Sequence, residues 1–208
     1  GSITIDASAG DQKRSLRFWI DANRPVVHVD IQSSVDCTAE IALESWRAEG
    51  KWLQGGAEKD VILPTDGQTV RWYQRNVHSV FADSFKFQHL GEIVNQFTDP
   101  LMNRTFGGLI SGEGLKSKDD KTLVTSAPAK QIAVSIHALT AQTKTPEDWL
   151  AQLDQQRKTV EAFPKGEAWS SHVKWWQEFW QRSGIYITPG EDLVNKEVLP
   201  LIPSNTLN

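Results

Sequence analysis

The residues best suited to chemistry stand at Arg71-Trp72-Tyr73-Gln74-Arg75-Asn76-Val77-His78, where flat rings are interleaved with fork-like hydrogen-bond donors. In a strand successive side chains point to opposite faces, so Trp72, Gln74 and Asn76 share one face and Arg71, Tyr73, Arg75 and Val77 the other. Rings that stack on apolar sugar faces, set beside guanidinium and amide groups that bond hydroxyls, are the ingredients of a carbohydrate-binding surface. Trp72, Tyr73, Arg75, Asn76 and His78 are therefore the candidate ligand-binding residues. The plainer reading of the same stretch is a half-buried strand with a core tryptophan and solvated arginines.

Other constellations fall short of a catalytic signature. Gly108-Leu109-Ile110-Ser111-Gly112 sets its serine one place too late for the nucleophile elbow, and no strand–turn–helix pattern frames it. Gly107, Gly108, Gly112 and Gly114 lack both the Gly-Lys-Ser/Thr of a phosphate loop and the spacing of a dinucleotide fold, so a turn or bulge region is expected there. Histidines at 28, 78, 89, 137 and 172 never fall at metal-ligand spacing, and no metal or cofactor is predicted. Asp119-Asp120 sits among Lys116, Lys118 and Lys121 and reads as a solvated loop. Glu113, Asp83 and Glu92 have no supporting pattern for the paired carboxylates that glycoside hydrolysis needs. Asn103-Arg104-Thr105 is a glycosylation sequon that matters only in a host that glycosylates. A self-sufficient hydrolase is therefore disfavoured, and no catalytic residue is assigned.

Composition narrows the class. In 208 residues, 26 acidic against 22 basic side chains leave a net charge of −4, without the basic run that would neutralise phosphates, so nucleic acid is not an expected partner. No apolar stretch is long enough to span a bilayer, and the start GSITIDASAG has neither the basic nor the apolar region of a signal peptide. Gly1-Ser2 reads as a cloning remnant, with natural sequence expected upstream. Cys37 is the single cysteine, which excludes an internal disulfide, and with Asp36 and Thr38 beside it a buried inert thiol is expected. Nine tryptophans against two tyrosines and one methionine are the main departure from average usage.

The elements that must position these residues read as strands, then helices. Leu16, Phe18 and Ile20 alternate with polar residues, Asn23-Arg24-Pro25 breaks the run, and Val27, Val29 and Ile31 resume it, the pattern of a hairpin. Ile41 and Leu43 lead towards Trp46, Val61–Leu63 runs into the turn Pro64-Thr65-Asp66-Gly67, and Val70 and Trp72 start a further strand. After Phe81, Phe85 and Phe87 a long connection without clear period is expected, up to the glycine-rich run 106–115. Ile132, Val134, Ile136 and Ala138 share one face of a strand, with Ala133, Ser135 and His137 on the other. Short antiparallel strands with regular turns predict a mainly β, two-sheet sandwich.

The period then changes. Thr145-Pro146-Glu147-Asp148 carries an N-cap, a proline at the first helical position and acids in the first turn, and Trp149, Leu153 and Val160 follow at helical spacing up to Phe163-Pro164. A second helix is predicted from Ser170-Ser171, with His172, Trp175, Trp176, Phe179 and Trp180 on one stripe. Four large aromatics on one face must meet an apolar surface. The chain is thus read as a sandwich over 1–143, a helical linker over 144–188 that includes the short extended piece Ile185-Tyr186-Ile187, and an extended tail over 189–208.

Residues 169–187, with His172, Trp175, Trp176, Phe179, Trp180, Arg182 and Ser183 in the pattern His-x-x-Trp-Trp-x-x-Phe-Trp-x-Arg-Ser, resemble the segment after the N-terminal β-sandwich in a bacterial family of uncharacterised proteins. That family is related to six-hairpin glycosidases such as the inverting alpha-L-fucosidases. Trp72-Tyr73-x-Arg75-Asn76 and the run from Thr105 to Leu115 are similar to the same family's sandwich. The resemblance implies a large sandwich linked covalently to an (α/α) barrel that would hold the catalytic carboxylates and that this chain does not include. It further implies a bacterial, periplasmic or extracellular protein related to polysaccharide, with His172, Trp175, Trp176, Phe179, Trp180 and Arg182 docking the barrel. The expected function is a non-catalytic scaffold domain; the alternative is a carbohydrate-binding module built on Trp72 and its neighbours.

Overall fold

The computed structural model describes residues 1–45, 47 and 58–184. The predicted extended piece at 185–187, the tail at 189–208 and the end of the run at Trp46 lie outside the described residues.

Ten strands among the described residues form two antiparallel sheets. They are β1 (Ser2–Ala9), β2 (Gln12–Ile20), β3 (Val26–Cys37), β4 (Glu40–Ala42), β5 (Val61–Ile62), β6 (Val70–Arg75), β7 (Arg104–Ser111), β8 (Leu115–Asp119), β9 (Thr122–Thr125) and β10 (Ala129–Gln142). The larger sheet has seven strands in the order β1-β2-β3-β10-β7-β6-β5, and the smaller has three in the order β4-β9-β8. Val70, Ile110, Leu115, Leu123, Ile132 and Val134 are buried between them, joined by half-buried Val29, Ile31, Ile41 and Trp72. This is the period-two alternation at work: every second residue of β3, β6, β7 and β10 points at the small sheet. A mainly β, two-sheet sandwich followed by helices is therefore the observed architecture.

The three-stranded sheet is too narrow to cover the seven. At the β1–β2 edge the same face carries Ile3, Ile5 and Ile20 at 67%, 52% and 66% exposure. Alternation correctly put Leu16, Phe18 and Ile20 on one side, but the fully enclosed residue of β2 is their out-of-phase neighbour Trp19, at 2% exposure, because the helices cover the opposite face.

Local chemistry explains the turns. At the predicted Pro64–Gly67 turn, Asp66 Oδ1 accepts from the backbone N–H of Gln68 at 2.9 Å and of Thr69 at 2.7 Å, and Gly67 takes a φ of +89°. The glycine-rich run divides in two. Gly107 and Gly108 lie inside β7, where a Cβ on Gly108 would sit 2.3 Å from the His137 carbonyl oxygen and 3.0 Å from the Trp72 ring. Only the part at Gly112–Gly114 turns, leading into β8.

Three α-helices and one 3-10 helix complete the described residues. The connection after β6 is not irregular throughout: it holds α1 (Phe81–Phe87) and a 3-10 helix (Gly91–Gln96), with Phe81 and Phe85 packed one turn apart at 4.7 Å. Helix α2 (Pro146–Glu161) starts as its sequence predicts, with a reciprocal capping box: Thr145 Oγ1 accepts from the Asp148 N–H, and Asp148 Oδ2 from the Thr145 N–H, each at 3.1 Å. Its Trp149 and Leu153 bury against Leu109 on the sheet face opposite the small sheet, with Tyr73 and Leu139 alongside. Helix α3 (Lys165–Arg182) begins five residues earlier than the Ser170 start expected from its aromatic stripe. Pro164, with φ of −59° and ψ of 127°, ends the corner after α2 and lets helical residues follow at once.

Candidate functional site

The polar-aromatic strand is β6, and its alternation sends the candidate ligand residues to two different sides of the sheet. Trp72 points into the space between the sheets and lies over Gly108. Gln74 follows it, 4% exposed, with its amide donating to Asn76 Oδ1 at 3.3 Å. Tyr73 points the other way, its ring centroid 5.8 Å from that of Trp149. Arg75, on the same side as Tyr73 and 7% exposed, donates to Thr105 Oγ1 at 2.8 Å and to the carbonyl oxygens of Thr143 and Lys144 at 2.8 and 2.9 Å. His78 lies past the strand end, exposed, with Nδ1 3.1 Å from Glu58 Oε1. The five therefore do not line one surface, and the arginine's donors are occupied by the fold itself.

The aromatic stripe of α3 divides along its length. At the inner end, His172 is 1% exposed and its Nδ1 accepts from the Ala22 N–H at 3.2 Å, so Nε2 carries the proton and donates to the Gly1 carbonyl at 3.2 Å. Burial holds the His172 pKa below the ordinary imidazole value, which keeps the ring neutral. Trp169 and His172 close over Trp19, with centroids 5.2 and 5.1 Å from it, while Trp19 stacks on His28 at 4.1 Å. Arg17 lies 4.6 Å over the Trp169 ring. Lys165 and Arg17 both bond Asp30 and hold its carboxyl below the usual range, although burial alone would raise it.

Beyond His172, from which Trp176 continues at a centroid distance of 6.4 Å, the rings pack on one another. Trp175 and Phe179 stack at 5.4 Å, Trp176 and Trp180 at 6.2 Å, and edge-to-face contacts of 4.8 to 5.6 Å tie the two pairs together. Trp175 and Trp180 remain 37% and 45% exposed, and Arg182 Nε donates to the Glu178 carbonyl at 3.1 Å in the last turn of the helix. An i, i+4 ladder of rings buries part of each ring, but one face of the ladder stays in water.

Sequence reasoning missed Trp19 and Trp169, which seat α3, and the buried Asp21 that holds the turn after β2. Asp21 is 5% exposed, pairs with Arg24 at 3.0 Å and accepts from the Asn23 N–H. The available signal was Trp19 itself, a large ring out of phase with the apolar alternation of β2. Such a residue needs cover on the second face of the sheet. Among the described residues no group of three or more His, Cys, Asp or Glu side chains could hold a metal ion, and no helix is long and apolar enough to cross a membrane.

A family model described as Domain of unknown function (DUF5703), the N-terminal model DUF5703_N, matches residues 1–185. No curated protein matches the chain.

Proposed function

The chain belongs to the DUF5703 N-terminal domain family, and from that premise we propose that it is a non-catalytic β-sandwich scaffold that docks a covalently linked helical domain of a glycoside-hydrolase-like, polysaccharide-related protein. The observation that carries this reading is the divided stripe of α3. Its inner end is seated on the sandwich by Trp169 and His172, and its outer end presents Trp175, Trp176, Phe179 and Trp180 as a stacked ladder whose rings are partly open to water. Each such ring can bury about 150–250 Å², and Trp175 and Trp180 still leave 37% and 45% of their surface open, which supports an interface more than a free surface. A rigid sandwich on one side and an aromatic helix leaving it on the other would fix the angle at which a following domain sits.

The test compares this chain with a longer natural chain that continues past residue 208. Trp175→Ala with Trp180→Ala is expected to leave the melting temperature of this chain nearly unchanged. In the longer chain the same pair should increase the radius of gyration and raise amide exchange over residues 173–182. Identical exchange and radius in mutant and wild-type long chains would refute docking through this helix.

A further inference from the structure

Helix α3 crosses the seven-stranded sheet towards its β1 edge and meets the strands one after another. Lys165 bonds Asp30 of β3, the Trp169 ring meets Arg17 and Trp19 of β2, and His172 reaches Gly1, the residue before β1. Of the helix's side chains only Ala168 and His172 are buried. His172 is therefore the last buried fastening before the aromatic ladder begins.

That fastening depends on one ring nitrogen staying unprotonated. Nδ1 of His172 accepts from the Ala22 N–H, and Nε2 donates to the Gly1 carbonyl, each at 3.2 Å. An imidazolium has two N–H groups and no acceptor, so its Nδ1–H would point at the Ala22 N–H and leave both donors unpaired in a site 1% exposed. The charged neighbours do not repair this. Asp21 favours the cation, but its carboxylate is already engaged by Arg24 at 3.0 Å and by the Asn23 N–H. The Gly1 amino group, 3.4 Å from Nε2, is a like charge, Arg17 and Lys165 are cations paired with Asp30, and His28 lies against Trp19, which meets His172 with its own ring. The rings of Trp19, Trp169 and Trp176 can face a cation, yet none gives Nδ1–H an acceptor.

The inner fastening responds differently. Burial would raise the Asp30 carboxyl, but Lys165 and Arg17 hold it below its ordinary value of 3.8, so this ion pair persists at the acidity that charges a histidine. Acid acts on one end of the seat only.

We propose that α3 is an acid-released arm: protonation of His172 frees the helix from the Ala22 turn outward, together with its aromatic ladder, while Lys165 stays tied to β3. Linkage sets the sign. Burial first, and the Gly1 charge second, lower the pKa of the seated ring from the ordinary 6.5 that the released ring regains in water. The seat is whole above pH 6.5, and its equilibrium constant falls by up to about tenfold for each pH unit below, down to the pKa of the seated ring. The proposal concerns the seat itself and holds whether or not the ladder docks a further domain.

Hydrogen exchange of the Ala22 amide in the full chain reads the release directly, because the His172 ring is its acceptor, and the amides of residues 173–182 report the arm. His172→Asn supplies an amide oxygen to accept from Ala22 and cannot titrate. We expect protection of Ala22, corrected for intrinsic rates, to fall about tenfold between pH 7 and 5 in the wild type and to stay flat in His172→Asn. A flat wild-type profile, or the same fall in His172→Asn, would overturn the proposal. Protection of Ala22 as high as that of the β10 amides would overturn it too, since only global unfolding would then open the seat. If His172→Asn already unseats α3 at pH 7, the wild type decides through the ¹⁵N shifts of the His172 ring. The ring must gain its proton as Ala22 exchange rises, and a ring that protonates while Ala22 stays protected would refute the release.

Discussion

Replacing Arg75 separates a structural clamp from a ligand contact. Its guanidinium ties three parts of the fold: β6, which carries it, β7 through Thr105, and the turn between β10 and α2 through Thr143 and Lys144. Thr105 and Thr143 are themselves 0% and 8% exposed, so water cannot replace the lost donors. Hydrogen bonds from a charged donor contribute about 1.5–3 kcal/mol each, but four made by one side chain share its desolvation and do not add. Arg75→Ala also leaves buried hydroxyl and carbonyl oxygens unpaired, each at a cost of about 1–3 kcal/mol. We expect a loss of about 4 kcal/mol, which at about 2–4 °C per kcal/mol for a chain of this size lowers the melting temperature by about 8–16 °C. Arg75→Lys keeps the charge but not the fork and should lose about half as much. Urea unfolding with an unchanged m-value is the assay. A loss below about 1 kcal/mol for Arg75→Ala would refute the clamp, and saccharide binding abolished by Arg75→Lys at unchanged stability would return Arg75 to the ligand-binding reading.

Two further outcomes follow from the same geometry. Gly108→Ala places a methyl 2.3 Å from the His137 carbonyl oxygen and against the Trp72 ring. It should destabilise by about 3 kcal/mol, at the upper end of overpacking costs, whereas Gly114→Ala, at a positive φ in open space, should cost only about 1 kcal/mol in a thermal melt. His28 is buried neutral, with its pKa lowered from 6.5 to about 4. The unfolded chain therefore binds this proton first, and the stability it confers is whole above pH 6.5 and lost as pH falls towards 4. At 1.36 kcal/mol per pH unit that amounts to about 3 kcal/mol. Melting temperatures of wild type and His28→Phe between pH 7 and 4 should diverge, with the variant flatter; parallel curves would show that His28 is not the group responsible.

Much of this molecule is determined by short-range pattern. The alternation in β3, β6 and β10 specifies which side chains share a face, because the pleat has period two, and Thr145-Pro146-Glu147-Asp148 specifies the start of α2, because a capping box is closed within four residues. The aromatic spacing of α3 likewise dictates one stripe of rings. What pattern could not decide is which face of a strand has cover, since that depends on elements far away in sequence. Trp19 is enclosed and Ile20 exposed because α3, some 150 residues later, lies over one side while the small sheet stops short of the other. The same limit governs the sites. Arg75 looks like a ligand-binding arginine until Thr143 and Lys144 fold back onto it, and His28 and His137 look like ordinary strand histidines until the fold buries them, at 6% and 0% exposure, with no hydrogen-bond partner for their ring nitrogens among the described residues. Residue types and periods are local properties of the chain, whereas burial and hydrogen-bond satisfaction are properties of contacts that only the folded chain brings together.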